Sequence, residues 1–206
     1  MIRYLFIRHA TTTGLEKDLV QGSTDSPLSP RGLREAQVTA QALSKERISA
    51  CFSSPLGRAT QTADILCAPH QLTPVLLEEL REMSFGWMEG RVHGHIPTYK
   101  NSLFIKLHLF RHLYMTILNG ESIRSVRQRA CKAWEFLQSQ AQDSTLLVVT
   151  HSILLNYFLN NIFPEHPVIR LGTDMHACGI TEIVNQDHQP QLIRLNDNSH
   201  LKDLPA

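Results

Sequence analysis

Residues 4 to 12 read YLFIRHATT. After Ile2, the run Tyr4, Leu5, Phe6 and Ile7 has no polar face, which fits a strand covered by helices on both sides of a mostly parallel sheet. The run ends abruptly on Arg8 and His9. Side chains alternate between the faces of a strand, so these two cannot reach one ligand unless the backbone leaves β geometry about there. A second apolar strand, STLLVVTHS (residues 144–152), also ends on a histidine, His151. Ligand sites of open α/β sheets lie outside the carboxyl ends of the strands. His9 and His151 are therefore candidates for one site, although a lone histidine after a strand is more often an ordinary structural residue.

Between these strands the pattern alternates. The stretch from Ser29 to Glu46, SPRGLREAQVTAQALSKE, predicts a helix with Ser29 as cap, Pro30 in the first turn and Leu33, Ala36, Ala40 and Leu43 as its apolar face. A strand at ISACFSS, a helix at LGRATQTADILCA and a strand near TPVLLEEL follow. Ser122 caps a long helix after NGES, ILLNYFLNNIF predicts another, and strands near CGITEIV and QLIRLND close the chain. The alternation predicts a three-layer α/β/α sandwich with a mostly parallel sheet, formed as one domain over residues 1–206. Two stretches depart from it. Residues 14–32 form a long polar loop, and loops of that length in a compact domain are usually functional. Residues 91–118 read as a helical lid insertion. Leu103, Leu107, Phe110, Tyr114 and Ile117 lie on one face, with Phe104, Ile105 and Leu109 opposite, so this element needs a cover and could pair two subunits as a homodimer.

Composition narrows the function. With 42% hydrophobic and 19% charged residues and a formal net charge of +1, the chain reads as globular. Nothing in it suggests a nucleic-acid or membrane partner. The four cysteines form no CxxC pair, and MIRYLFIRHA has no secretory pattern, so a cytoplasmic protein with reduced thiols is expected. There is no GxxxxGK[ST] loop and no GxSxG elbow. Arg58 comes seven positions after Cys51, too far for the loop of a cysteine-based phosphatase. His108 and His112 lie one helical turn apart but lack the glutamate of HExxH. They read as lid or interface residues, as do His93 and His95.

The segments IRHATT, QGSTDSPLSPRG, SSPLGRATQTA, LREMSFGWMEG, NGES and VVTHS occur in the order found in the histidine phosphatase superfamily. The chain resembles the phosphoglycerate-mutase-like branch of that family over nearly its whole length, and the tail LIRLNDNSHL is similar to that of its small phosphatases, such as α-ribazole phosphatase. The resemblance implies a phosphomonoesterase acting on a small-molecule phosphate ester, without cofactor or metal. It makes His9 the nucleophile that becomes a phosphohistidine, has Arg8 and Arg58 fork onto the phosphoryl oxygens, and makes His151, if protonated, a further donor. Glu82 falls at the position of the general acid, and only the motif selects it over Glu78 and Glu79. Thr12, Gln21, Gly22 and Ser152 correspond to phosphate- or substrate-contacting positions, and Glu121 and Ser122 match the family pattern. The sequence departs from the family at Ala10, Thr11, Leu15 and Ser152, where relatives commonly carry Gly, Glu, Asn and Gly. Leu15 removes a polar contact near the phosphate. The family also contains mutases. The compact, apolar insertion favours a phosphatase, and the alternatives are mutase-type transfer, a non-catalytic phospholigand-binding module or a metallohydrolase drawing on the eleven histidines.

Overall fold

Strand β1 spans Ile2–Arg8 and β4 spans Ser144–Thr150; they pair in parallel at the centre of a six-stranded sheet, with Tyr4 beside Leu146 and Arg8 beside Thr150. The computed structural model describes residues 1–93, 119–140, 142–166 and 174–204. Strands β2 (Ala50–Ser53) and β3 (Val75–Leu76) extend the parallel part on one side. On the other, β5 (Ile180–Gln186) and β6 (Gln189–Asp197) run antiparallel, giving the order β3-β2-β4-β1-β5-β6.

The period-two alternation of the two central strands creates the layers. Tyr4, Phe6, Leu146 and Val148 pack with Val126, Ala130, Ala133 and Leu137 of α4 (Ile123–Gln138) and with Leu154, Leu155 and Phe158 of α5 (Ser152–Ile162). Leu5, Ile7, Leu147 and Val149 pack instead with Ala40 and Leu43 of α2 (Pro30–Leu43) and with Ala59, Ala63 and Leu66 of α3 (Gly57–Cys67). Each large apolar side chain so buried stabilises the fold by roughly 1.5–3 kcal/mol. Rings strengthen the first layer: Tyr4 lies 4.9 Å from Trp134, and Phe6 lies 4.8 Å from Phe158, centroid to centroid. The expected sandwich is present, and so are the expected caps. Ser29 Oγ accepts the Gly32 N–H at 3.1 Å, and Ser122 Oγ accepts that of Ser125 at 3.1 Å.

This layering also sets where a ligand can sit. The helix that follows β1, α2, covers one face of the sheet, and the helix that follows β4, α5, covers the other. A crevice therefore opens beyond the ends of these two neighbours, the switch point of a doubly wound sheet.

Two expected elements differ. The strand near TPVLLEEL is reduced to the exposed edge pair Val75–Leu76, because Pro74 offers no N–H to extend a ladder. The chain then turns through Glu78–Leu80 and buries Leu80, whose carbonyl accepts the Thr150 hydroxyl at 2.8 Å. That turn carries the chain over the end of β4. The long loop, in turn, is not shapeless. It holds the short helix α1 (Thr13–Glu16) and is pinned by isolated bridges between Thr12 and Leu28 and between Leu19 and Val92. Residues 91–93 thus belong to a short pairing with 18–20, in which Val20 N–H donates to Arg91 O at 3.0 Å and His93 N–H to Asp18 O at 2.9 Å. The remainder of the lid expectation, residues 94–118 with His95, His108, His112 and the subunit pairing, lies outside the described residues. Among the described residues no helix is long and apolar enough to cross a membrane.

One close approach locks the start of α2 to the site loop. A Cβ added at Gly32 would lie 1.8 Å from the Thr11 carbonyl oxygen. Thr11 cannot retreat, because that oxygen accepts Ser29 N–H at 3.0 Å while its own N–H donates to Glu35 Oε2 at 2.9 Å. Gly32→Ala is expected to lower the unfolding free energy by about 1–3 kcal/mol, measured by urea denaturation; wild-type stability in that variant would refute the contact.

Candidate active site

Because Arg8 pairs with Thr150, the next residues, His9 and His151, emerge side by side. Their ring centroids are 5.1 Å apart. β1 ends at Arg8, as convergence of Arg8 and His9 requires, and His9 N–H makes one last bond to Thr150 O at 2.9 Å. His9 Nδ1 lies 2.8 Å from Ala10 O. A carbonyl can only accept, so Nδ1 carries the hydrogen and Nε2 keeps its lone pair. The Arg58 Nε–H points at that lone pair from 3.3 Å. Burial, with Arg8 and Arg58 alongside, holds the His9 pKa well below its ordinary 6.5.

Arg58 sits on the second residue of α3, 1% exposed, and is aimed by the long loop that precedes α2. Its Nη1 donates to Thr24 O at 2.8 Å and Asp25 Oδ1 at 3.1 Å, and its Nη2 to Gly22 O at 2.7 Å. The loop is itself pinned by Glu89, which accepts from the N–H groups of Ser23, Thr24 and Phe85. Gly22 has φ +55°, and a Cβ there would collide with the Glu89 carboxylate. Its glycine is therefore required by the backbone that orients Arg58. The expected fork on a phosphoryl group is thus narrowed to the Nε–H and one Nη2–H, the other donors being held by the loop. Arg8 Nη1 donates to Asp174 Oδ1 at 3.3 Å and to Met175 O, while its buried Nε–H has no partner among the described residues.

Glu82 reaches the site from the turn over β4. Its Oε1 accepts from Met83 N–H and Leu154 N–H, both at 3.0 Å, and its Oε2 accepts from Ile153 N–H at 3.2 Å. The last two belong to the first turn of α5, whose N-terminus favours a carboxylate. Even so, burial outweighs these bonds and pushes the Glu82 pKa above its ordinary value. The less buried Glu89 shows the opposite balance: burial pushes it up, but the Ser23, Phe85 and Thr24 N–H groups win and hold it low. His151 is fully buried, and burial and then Arg58 hold its pKa well below 6.5. Its Nε2 lies 2.7 Å from Ser54 Oγ, and its Nδ1 has no partner among the described residues. Since Ser54 Oγ already accepts Leu56 N–H at 3.3 Å, its hydrogen is available to His151 Nε2. With the hydroxyl donating, the neutral ring carries its hydrogen on Nδ1 and donates from there without protonation; with the hydroxyl accepting on its second lone pair, the hydrogen sits on Nε2.

Arg8, His9, Arg58 and Glu82 meet at a cavity of about 200 Å³ that Ser152 also lines, while His151 lies behind His9 and is not part of the wall. Gln21 and Gly22 line it too. Thr12 does not: it is fully buried, its hydroxyl accepting from Leu15 N–H at 3.1 Å and Gln21 Nε2 at 2.8 Å. Thr12 caps α1 and holds Gln21. Leu15 stands in the wall, together with Leu19, Val20, Phe85 and Ile153, so the departure from asparagine replaces a polar contact by an apolar one. Four residues of this wall, Arg8, Leu15, His93 and Asp174, also border an adjoining cavity of about 520 Å³. His93, read from the sequence as a lid or interface residue, stands at this mouth with Nδ1 3.1 Å from Asp18 Oδ1. Nothing in its spacing announces that place, and the same holds for Ser54 and Asp174. Among the described residues no group of three or more His, Cys, Asp and Glu side chains is gathered so as to hold a metal ion.

The family model of the histidine phosphatase superfamily (branch 1) matches residues 4–198. A protein of Hydrogenobacter thermophilus that carries the provisional name phosphoserine phosphatase 2 is 29% identical over 99% of this chain and 100% of its own. "Probable phosphoglycerate mutase GpmB" of Yersinia pestis is also 29% identical, over 100% of this chain and 97% of its own. Phosphoserine phosphatase of Entamoeba histolytica, solved in complex with 3-phosphoglyceric acid, superposes with a TM-score of 0.80 at 25% identity, covering 98% of this chain and 100% of the other.

The buried imidazoles make stability depend on pH with a definite sign. Below pH 6.5 an unfolded chain takes up protons that folded His9 and His151 refuse, so the stability present above pH 6.5 is lost as pH falls. Glu82 acts oppositely: its raised pKa favours the folded state in acid, an advantage lost as pH rises from its ordinary 4.5 through the folded value. Each histidine contributes up to about 1.4 kcal/mol per pH unit. His151→Gln is expected to flatten the decline in urea-unfolding free energy between about pH 7 and 5.5; an unchanged slope would show that His151 titrates normally.

Proposed function

The chain belongs to the histidine phosphatase superfamily, and on that premise we propose that it hydrolyses a small phosphate monoester through a phosphohistidine on His9, without a metal ion. The observation that carries this reading is the approach of Arg58 Nε–H to the lone pair of His9 Nε2 at 3.3 Å, in a cavity that Arg8 and Glu82 share. A phosphoryl group brought there meets a nucleophile and its charge-neutralising donors together. Phosphoryl transfer depends chiefly on such positioning and electrostatics.

In the first half-reaction His9 Nε2 bonds to phosphorus and the ester P–O bond breaks. The leaving oxygen takes the proton of Glu82, which burial keeps available above the usual carboxyl range. Arg8 Nε–H, Arg58 and, with its hydrogen on Nδ1, neutral His151 serve the equatorial oxygens. In the second half, Glu82 accepts a proton from water as that water attacks phosphorus. The N–P bond breaks, and phosphate leaves with His9 neutral again. His9 Nδ1–H stays on Ala10 O throughout, which keeps Nε2 as the reacting atom.

Hydrolysis rather than mutase transfer is supported by the walls. A phosphoglycerate mutase must hold two small, highly anionic groups and withhold the phosphoryl group from water. Leu15, Leu19, Val20, Phe85 and Ile153 offer apolar contact to a leaving group instead, and the stretch from Leu103 to Leu118 is apolar in sequence. The cytoplasm is the expected compartment.

A phosphate-release screen over phosphomonoesters tests this reading. His9→Ala is expected to lower turnover by at least about 10³-fold and to abolish an acid-labile phosphoprotein adduct. Wild-type kcat/KM is expected to fall as pH rises through the raised Glu82 pKa, while the depressed His9 pKa keeps the nucleophile unprotonated below pH 6.5. Sustained phosphoglycerate interconversion without phosphate release, or chelator-sensitive hydrolysis that survives His9→Ala, would overturn the proposal.

A further inference from the structure

The Glu82 carboxyl is held by α5, but its main chain is held from a different helix. Arg129 of α4 sends Nη1 to Glu79 O at 2.9 Å and Arg81 O at 2.8 Å, and Nη2, more distantly, to Glu82 O at 3.5 Å. The same guanidinium is gripped by Glu121, with Nε to Oε1 at 2.9 Å and Nη2 to Oε2 at 2.7 Å. All five N–H donors of the arginine are thereby used. Glu121 is tied in turn by Ser125 Oγ, which donates to Oε1 at 2.8 Å, and by its own N–H, which donates to Ser84 O at 2.8 Å. Of the carbonyls from Glu79 to Glu82, three go to Arg129 and the fourth, Leu80, to the Thr150 hydroxyl. Ser125 and Arg129 stand four residues apart on one face of α4, and Glu121 lies just before its cap, Ser122.

We propose that Arg129, braced by Glu121, is a positioning residue that fixes Glu82 at the depth needed for proton transfer to the leaving group. The proposal rests on the reading of Glu82 as the general acid. The pair lies at the rim, with the two side chains 19% and 17% exposed, not in the apolar core. Its loss releases the strip from Glu79 to Glu82 while leaving the layers packed. A general acid displaced by about an ångström loses much of its effect, on the order of 10²-fold. Lysine cannot replace the arginine. It retains the charge, but a single ammonium cannot serve three carbonyls and a carboxylate fork together.

The test compares kcat/KM, which reports the steps up to departure of the alcohol, on two esters. An alkyl phosphate needs a proton on its leaving oxygen, whereas a nitrophenyl phosphate does not. Arg129→Lys is expected to lower kcat/KM on the alkyl ester by about 10²-fold and on the aryl ester by less than about threefold. Competitive inhibition by inorganic phosphate is expected to stay unchanged, because Arg8, Arg58 and His9 are untouched. Glu121→Gln is expected to shift the same ratio in the same direction by a smaller factor. In a Glu82→Gln background, Arg129→Lys should add no further loss, since both changes remove one function. Equal losses on both esters, wild-type rates in Arg129→Lys, or a full additional loss in the Glu82→Gln background would each overturn the proposal. Wild-type protein inert on every phosphomonoester would overturn the phosphatase reading beneath it, an outcome visible before any variant is made.

Discussion

The parallel pairing of β1 with β4, with Arg8 opposite Thr150, is the constraint on which the site depends. Two adjacent strands end at the same height, and the next residue of each is a histidine. The helices that follow them lie on opposite faces, so the space beyond the strand ends stays open. A shift of one residue in this register would turn Tyr4 and Phe6 toward the wrong layer and carry His9 away from His151. The core that makes the sheet stable therefore also sets the distance between the imidazoles. Packing and chemistry share the same hydrogen bonds.

Around that pair, carboxylates act as struts. Glu89 holds the loop that aims Arg58, Glu35 holds Thr11 at the mouth of the first turn, and Glu121 holds the arginine that grips the strip before Glu82. Each accepts hydrogen bonds from backbone or arginine donors outside the cavity. Those three are committed outside the cavity, and at it stand two guanidinium ions, the neutral His9 ring backed by His151, and one carboxyl whose burial favours its protonated form, with Asp174 of the wall paired to Arg8. A pocket so arranged carries net positive character without being fully solvated, which strengthens its hold on a phosphoryl group. The neutral state of His9 follows from the same arrangement: burial and the neighbouring cations both oppose a further charge on the ring.

His9, Arg8, Arg58, Glu82 and His151 were legible because family motifs mark each of them. The sandwich was legible because Tyr4 to Ile7 and Leu146 to Val149 can be buried only from two sides. The length of β3 was not, since its start depends on Pro74 at an edge and its end on Leu80 being drawn to the end of β4. Thr12 shows a different limit. A threonine at a motif position reads as a ligand contact, yet its hydroxyl is spent on capping α1 and orienting Gln21. Nothing local announces the contacts of His93 with Asp18, Ser54 with His151 and Arg129 with Glu82, which join residues 75, 97 and 47 positions apart along the chain.

The sequence by itself determined the layers, the caps at Ser29 and Ser122 and the identity of the candidate site residues, because periodicity, capping chemistry and motif order are properties of neighbours along the chain. Only the tertiary structure decided which His9 nitrogen keeps a lone pair, where Glu82 is buried and what aims each cation. The lone pair on His9 Nε2 depends on a carbonyl beside it and a guanidinium 49 residues away. The Glu82 proton depends on burial beneath a helix that begins 70 residues later. Charge states are set by distance and desolvation, and these exist only once the chain has closed on itself.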